Sequence, residues 1–162
     1  MFLIGNHSDE LTPWLPVLAS LIPGATYLSI PCCQWSLDQK FRRNDANLFP
    51  QLRTAQVAEL EEQLGETRKS AYGAYLCWLL RLGSECGFVG EVEALRLPST
   101  RNYAIVGTWI LCTECMADLM FGVGRKRDPM FDTAGKEAAV SLFDEVRRRG
   151  LFKTRASGVG EH

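Results

Sequence analysis

The chain has 162 residues, 46% of them hydrophobic and 23% charged, which is enough to bury one core and excludes extended disorder. No apolar run approaches the ~18 residues that cross a bilayer, and a signal peptide's basic start is absent, so we expect a cytoplasmic protein without membrane contact. The net charge of −1 is uneven, because residues 1–120 carry 9 basic and 13 acidic groups (net −4) whereas residues 121–162 carry 9 and 6 (net +3).

The first elements read as strand, helix and strand. Residues 2–5 form a short apolar run, and a helix is predicted for residues 12–21 with Pro13 in its first turn. Pro23 and Gly24 end that helix, and residues 26–30 are rich in β-branched and aromatic side chains, as in a strand. This order and spacing predict a right-handed βαβ unit with two parallel strands.

The middle of the chain predicts a loop, a buried helix and a hairpin. In residues 34–55 the apolar residues follow neither the helical nor the strand periodicity, which is typical of a polar loop. A helical segment is predicted at about 54–64. Residues 70–86 form the strongest helix, closed by Gly87. Residues 91–97 and 103–111 follow as two strands whose short connection makes them antiparallel neighbours. The fold class is therefore α/β, with parallel strands ending in an antiparallel hairpin.

The end of the chain offers two further features. Cys112 and Cys115 have zinc-knuckle spacing, but a structural zinc site needs a second pair of ligands, so we expect reduced thiols and no metal. Residues 121–162 are predicted as a basic helical extension of a domain at 1–120, with a helix at about 135–149. Its basic clusters at 125–127 and 147–149 suit contacts with an RNA backbone, although short basic runs are more often solvated helix ends.

Three separated motifs carry a family resemblance. They are Leu3-Ile4-Gly5-Asn6-His7-Ser8-Asp9-Glu10-Leu11-Thr12-Pro13-Trp14, then Pro31-Cys32-Cys33, then Leu95-Arg96-Leu97-Pro98-Ser99-Thr100-Arg101-Asn102. In this order they resemble the tRNA (uracil-2'-O-)-methyltransferase family, which uses S-adenosylmethionine to methylate a ribose in serine tRNAs. The resemblance covers residues 2–110 and implies the second half of a Rossmann-like class I methyltransferase fold, from its fourth to its seventh strand.

One part of that fold is not found in the sequence. The methyl donor of the family sits over a glycine-rich turn after the first strand, and no G-x-G-x-x-G occurs in this chain. The resemblance thus implies a first half on another or missing segment, or a truncated product. Without it, the strand at residues 2–5 would be an open apolar edge that invites self-association, and the chain alone would be less stable than its length suggests.

The resemblance also implies an active site after the first strand. Asp9 and His7 are the candidates for the base that takes the ribose hydroxyl proton, and Asn6 and Glu10 are the candidates for donor contacts. Three of these residues have a structural alternative. Asp9 can cap the following helix, Glu10 can complement the helix dipole, and His7 can be a hydrogen-bonded structural group.

The other two motifs are implied to contact the substrate. Cys33 lies in a turn that the family places near the substrate, whereas we expect Cys32 to serve in packing. Arg96, Ser99, Thr100 and Arg101 combine guanidinium and hydroxyl groups, which suits RNA phosphate contacts or, equally, a structural turn.

Three interpretations follow. The first is an S-adenosylmethionine-dependent tRNA (uracil-2'-O-)-methyltransferase that acts on a uridine of serine tRNA. The second is a catalytically inactive module that binds tRNA or a protein partner through the retained half of the fold. The third is a small metal-dependent RNA-binding domain built on Cys112 and Cys115, which metal analysis of the purified protein would test.

Overall fold

A mixed four-stranded sheet forms the centre of the molecule. The computed structural model describes residues 1–42, 58–59, 62–109 and 129–148, with side chains in the last segment from Thr133 onward. Its strands are β1 (Phe2–Asn6), β2 (Thr26–Ile30), β3 (Phe88–Ala94) and β4 (Tyr103–Trp109), in the spatial order β1-β2-β4-β3. β1 and β2 are parallel, whereas β4 runs antiparallel to both β2 and β3. The predicted parallel pair and antiparallel hairpin are confirmed.

The first hairpin strand lies three residues earlier in the sequence than predicted. It was predicted at residues 91–97, but β3 begins at Phe88 and ends at Ala94. Phe88 is buried, and its ring lies 5.1 Å from that of Tyr27, so packing starts the strand directly after the glycine at 87. At the other end, the Leu95 N–H donates to the Asn102 carbonyl at 2.6 Å, and the following residues form the loop to β4.

The α-helices that the structure describes from end to end are α1 (Trp14–Leu21), α2 (Ala71–Glu85) and α3 (Pro129–Arg148). α1 begins two residues later than predicted because a 3₁₀ turn, Asp9–Leu11, precedes it. The Ser70 hydroxyl caps α2 by accepting the Gly73 N–H at 2.9 Å, and Gly87 follows α2 with a left-handed φ of 85°. α3 starts six residues earlier than predicted, with proline in the first helical position.

The core lies where α2 meets the sheet and the loop after β2. Trp78 and Tyr75 of α2 stack with ring centroids 5.8 Å apart, and the Phe41 ring lies within 5.4 Å of both. Burying such aromatic rings contributes a large share of a small domain's hydrophobic stabilisation. The other fully buried large side chains include Leu76, Leu80, Leu82, Phe88 and Ile105.

Helix α3, which falls in the predicted basic extension, packs on the main domain. Ala139 and Val146 are buried in the common core, and the Phe143 ring meets the edge of Trp14 at 6.4 Å. The boundary predicted at residues 120 and 121 lies outside the described residues, as do the basic cluster at 125–127 and the Cys112–Cys115 pair. Of the cluster at 147–149, Arg147 and Arg148 are exposed at the end of α3.

Strand β1 is an edge strand of the described sheet. Its side chains alternate between the two faces, and Phe2 and Ile4 are 50% and 66% exposed. The predicted apolar edge is therefore present in the part of the chain that the structure describes. None of the described helices is long and apolar enough to cross a membrane.

The predicted polar loop and helix at residues 34–64 are only partly described. Residues 34–42 fold back with an isolated bridge between Trp35 and Lys40, and the Trp14 indole N–H donates to the Leu37 carbonyl at 2.9 Å. Residues 58–59 and 62–63 are helical and lead to a 3₁₀ helix, Gly65–Lys69. The remaining residues of this predicted segment lie outside the described ranges.

Candidate active site at the carboxyl ends of the parallel strands

The chain turns sharply where β1 ends. His7 and Asp9 have φ values of 52° and 47°, a left-handed conformation that non-glycine residues seldom adopt and that tends to occur at functional sites. The His7 backbone N–H donates to the Ile30 carbonyl at 3.2 Å and extends the pairing of β1 with β2. A Cβ on Gly5 would lie 2.7 Å from the Ser8 hydroxyl oxygen, so the missing side chain lets the turn fold back onto the strand.

This turn brings Asp9 against the residues that follow β2. The Cys32 thiol donates to Asp9 Oδ1 at 3.0 Å, and the Cys33 thiol also hydrogen bonds to the carboxylate. These two bonds, with a smaller contribution from the charge of His7, hold the pKa of Asp9 below its usual range. Burial, and after it the bond to Asp9, raises the pKa of Cys32 to about 11. The pair is therefore a carboxylate and a neutral thiol at neutral pH.

The alternative role of Asp9 as a helix cap is not what the structure shows. The capping positions are Ser8 for the 3₁₀ turn and Pro13 for α1, and neither makes a side-chain capping bond. The Asp9 carboxylate instead reaches across to the neighbouring strand end. Glu10 lies exposed in the first turn of the 3₁₀ helix, where an acidic group complements the helix dipole.

The loop between β3 and β4 reaches the same strand ends through Arg101. Its guanidinium donates to the Cys32 carbonyl, and its backbone N–H donates to the Ser99 hydroxyl at 3.1 Å. Arg96, Ser99 and Thr100 are exposed in the same loop. Of these four predicted substrate contacts, Arg101 is the one whose described side chain reaches the turn after β2.

Tyr72 is a neighbour that the sequence reasoning missed. Its hydroxyl donates to the Pro31 carbonyl at 3.0 Å from the first turn of α2, and burial raises its pKa to about 12. It thus fixes the backbone that carries Cys32 and Cys33. The sequence held no signal for this contact, because Tyr72 is one of many apolar residues in the helix and joins Pro31 only in the folded chain.

Together these contacts define a corner, by which we mean Asn6, His7, Asp9, Glu10, Cys32, Cys33 and Arg101. Asn6, His7, Asp9 and Glu10 are exposed, Cys33 is half-buried and Cys32 is buried. The corner presents two carboxylates and an amide beside one guanidinium, on a backbone fixed by hydrogen bonds. Such a set can accept a proton or hold a polar or cationic group at the carboxyl ends of parallel strands, where open α/β sheets bind ligands.

Comparison with known proteins identifies relatives of this chain. It is 39% identical over 119 residues to the tRNA (uracil-O(2)-)-methyltransferase of Schizosaccharomyces pombe, which covers 71% of this chain and 20% of that protein. The Neurospora crassa enzyme is 40% identical over 107 residues, 65% of this chain and 18% of that protein. The Saccharomyces cerevisiae enzyme is 39% identical over 107 residues, 65% of this chain and 17% of that protein.

The chain thus spans about a fifth of the length of the curated relatives that it matches. No family model matches it, and no solved structure does. The resemblance carried by the three sequence motifs is confirmed by these matches, and the chain is a relative of one segment of the tRNA (uracil-O(2)-)-methyltransferases.

Proposed function

We propose that this chain provides the methyl-acceptor side of an S-adenosylmethionine-dependent tRNA (uracil-2'-O-)-methyltransferase that modifies a uridine ribose in serine tRNA. The observation that carries the proposal is the Asp9 carboxylate, held in a left-handed turn against Cys32 at the carboxyl ends of two parallel strands. The names of the relatives support the reaction and the tRNA substrate. A cytoplasmic location is expected for a tRNA-modifying protein and stays a prediction.

The fold proposed for the chain is the second half of a class I methyltransferase domain. Two parallel strands linked by a helix, followed by a hairpin that joins the sheet antiparallel, support this assignment. In this proposed fold, the corner lies at the edge of the sheet where the substrate enters. The glycine-rich donor turn has no counterpart in this sequence, so a complete donor pocket requires further protein.

The chemistry of the corner fits the methyl donor. S-adenosylmethionine supplies its methyl group on a sulfonium, so the donor is already activated and carries a positive charge. The carboxylates of Asp9 and Glu10 and the amide of Asn6 are exposed at the end of β1 and offer hydrogen-bond acceptors to a cationic ligand with hydroxyl and amino groups. We assign Asn6 and Glu10 to donor contacts.

Asp9 is proposed to orient the ribose 2'-hydroxyl and to accept its proton. Correct placement of the reacting oxygen contributes most of the rate when the donor is already activated. A positioned base adds a factor of about 10²–10⁴. Because hydrogen bonds from the thiols lower the pKa of Asp9, it stays ionised at neutral pH and ready to accept a hydrogen bond. His7, exposed two residues earlier, is the second candidate for the proton.

The loop between β3 and β4 is proposed to contact the tRNA backbone. The guanidinium of Arg101 has five N–H donors, so its bond to the Cys32 carbonyl leaves others to face a phosphate. Arg96 and the hydroxyls of Ser99 and Thr100 are exposed beside it. Such contacts position an RNA without reading its sequence, which leaves the choice of serine tRNA to other surfaces. Cys33, half-buried at the same edge, is the proposed contact to the nucleotide itself.

Calorimetric titration with S-adenosylmethionine, and with S-adenosylhomocysteine as a second ligand, tests whether the chain holds the donor. If the chain binds the donor, a methylation assay on serine tRNA compares the wild type with Asp9→Asn, and Glu93→Gln on β3 serves as an exposed carboxylate control. We expect Asp9→Asn to lose at least tenfold in rate and the control to keep its rate. Equal rates for both variants would remove Asp9 from the mechanism.

The inactive binding module is the second candidate, favoured by the absence of a glycine-rich donor turn from the sequence. It predicts that the chain binds tRNA but gives no heat of binding on titration with S-adenosylmethionine, even at donor concentrations far above those that an active methyltransferase needs. Donor binding by the full chain would exclude it.

A further inference from the structure

Three metal-ligating atoms meet at the corner. Asp9 supplies a carboxylate oxygen, Cys32 and Cys33 supply sulfurs, and all three atoms lie within 4.8 Å of one another. The Cys32 sulfur is already 3.0 Å from Asp9 Oδ1. Asp9 follows β1 and the cysteines follow β2, so the parallel pairing of these strands brings together ligands that lie 23 positions apart in the sequence.

We propose that Asp9, Cys32 and Cys33 form a three-ligand site for Zn²⁺ or a similar thiophilic divalent cation. Zinc is bound at about 2.3 Å by thiolate sulfur and about 2.0–2.2 Å by carboxylate oxygen, and three protein ligands leave one tetrahedral position open. The three donor atoms lie within 4.8 Å of one another, which is near the ligand separation that tetrahedral geometry at these bond lengths requires. Thiolates select zinc over magnesium or calcium, which prefer oxygen ligands.

The surroundings of the three ligands favour a fixed site. The Pro31 carbonyl accepts the Tyr72 hydroxyl and the Cys32 carbonyl accepts Arg101, so the backbone of the two cysteines is anchored on both sides. The turn that carries Asp9 is tied to β2 by the bond from His7 N–H to Ile30. Backbones fixed in this way lose little conformational entropy on metal binding.

Charge and access also suit a cation. Both thiols release their protons to solvent when the metal binds, which gives the ligand set a charge of −3 against +2 on the metal, and the guanidinium of Arg101 offsets the excess. Asp9 is exposed and Cys33 half-buried, so the ion enters from solvent and its open position faces outward. The site shares Asp9 and Cys33 with the proposed methyl transfer, so a bound ion excludes that role while it is present, and the test below measures metal binding alone.

Cobalt titration of the full chain, freed of metal with a chelator, tests the site. Co²⁺ reports its own ligands, since thiolate coordination produces charge-transfer absorption in the near ultraviolet and tetrahedral geometry produces strong visible bands. We expect one equivalent per chain with both signals, and their displacement by Zn²⁺. Failure of the wild type to bind one equivalent with thiolate bands would overturn the proposal.

Three variants locate the binding. Cys33→Ser is expected to reduce the charge-transfer absorption by about half, because one of the two thiolate ligands is lost. Asp9→Asn, which keeps the side chain's shape, is expected to weaken binding at least tenfold. The double variant Cys112→Ser with Cys115→Ser removes the other pair with ligand spacing and is expected to bind as the wild type does. Loss of binding in that double variant, or unchanged binding in both Cys33→Ser and Asp9→Asn, would contradict the site. Circular dichroism of each variant checks that it folds.

Discussion

Asp9 and Cys32 set each other's protonation states. The carboxylate accepts the thiol hydrogen, which favours the ionised acid and the neutral thiol, and burial of the sulfur acts in the same direction on Cys32. Cys32 is therefore unreactive at neutral pH despite its position at the proposed site.

Replacement of Asp9 by asparagine should make Cys32 more reactive. With the carboxylate gone, the thiolate no longer faces a negative charge, so we expect the pKa of Cys32 to fall from about 11. The rate of iodoacetamide modification of Cys32 should then rise at lower pH than in the wild type. It is measured with a chelator present by fragmentation mass spectrometry, which distinguishes Cys32 from the adjacent Cys33. The Glu93→Gln control should leave the profile in place, and an unchanged profile in Asp9→Asn would contradict the interpretation.

Glu85, in the last turn of α2, is a second residue with a testable pH effect. Burial raises its pKa, and its Oε1 is buried without a hydrogen-bond partner among the described residues. The folded state therefore favours the protonated acid. Wild-type stability should fall as pH rises from the ordinary carboxyl pKa to the raised folded pKa, and the lost stability should stay absent above it.

Glu85→Gln should remove that dependence. We expect a gain of about 0.5–1 kcal/mol in the free energy of unfolding at pH 7, since a neutral amide is easier to bury than an unpaired carboxylate, and little gain at pH 4. Urea unfolding at pH 7 and pH 4 measures the change in the free energy of unfolding at each pH. Glu93→Gln, an exposed change of the same kind, is the control, and an equal effect at both pH values would rule out the buried charge as the cause.

At the scale of elements, the close packing of α3 against the end of α2 depends on Gly135. A Cβ at Gly135 would lie 2.5 Å from the Cys86 carbonyl oxygen, which is backbone and cannot rotate away. Gly135→Ala gains about 1 kcal/mol in helix propensity but overpacks this contact, which typically costs 1–3 kcal/mol. We expect net destabilisation and weaker docking of α3.

Thermal unfolding followed by circular dichroism measures that loss. Ser141→Ala, an exposed change on the same helix, is the matched control and should be neutral or slightly stabilising. A more stable Gly135→Ala variant would mean that α3 shifts without loss and that the close approach is not required.

The hairpin loop makes an electrostatic prediction. Replacing Arg96 and Arg101 together by alanine should weaken serine tRNA binding and reduce the slope of log K against log salt by about 1–2, since each phosphate contact contributes about 0.7–0.9. Arg68→Ala, exposed in the 3₁₀ helix before α2, is the control. Unchanged affinity and slope in the double variant would return this loop to a structural role.

The sequence predicts those parts of this fold that depend on local patterns. Alternation and turn residues located β1, β2 and the hairpin, and glycine at 87 marked the end of α2. The predicted start of β3 was wrong because the contact between the rings of Phe88 and Tyr27 joins segments that are distant in the sequence. For the same reason the sequence predicted Asp9 and Cys33 at one edge but left helix capping open as an alternative role of Asp9, since the choice depends on the register of β1 with β2.

At the scale of the whole molecule, the β1 edge is the feature with the largest consequence. An exposed edge strand with apolar side chains pairs readily with other strands, so we expect the isolated chain to self-associate and to unfold at modest temperature. Sedimentation and thermal unfolding measure both. Cooperative unfolding as a monomer with ordinary stability would contradict the expectation.

Ile4→Lys tests whether β1 is responsible. A charge on an edge strand discourages pairing, and Ile4 is 66% exposed, so the variant should be more monomeric at equal concentration with little change in stability. Leu18→Lys on α1, 46% exposed, is the matched control because it adds the same charge away from the edge. An equal gain from both would assign the effect to net charge.

The long-range contacts of the corner also determine when it can exist. Cys32 binds Asp9 across 23 residues and Arg101 across 69, while Tyr72 reaches Pro31 across 41. Closing loops of this length is slow, and local helices form first. We therefore expect the corner to be assembled among the last parts of the chain, so that a newly synthesised or partly folded molecule has its helices in place before Asp9 has a partner.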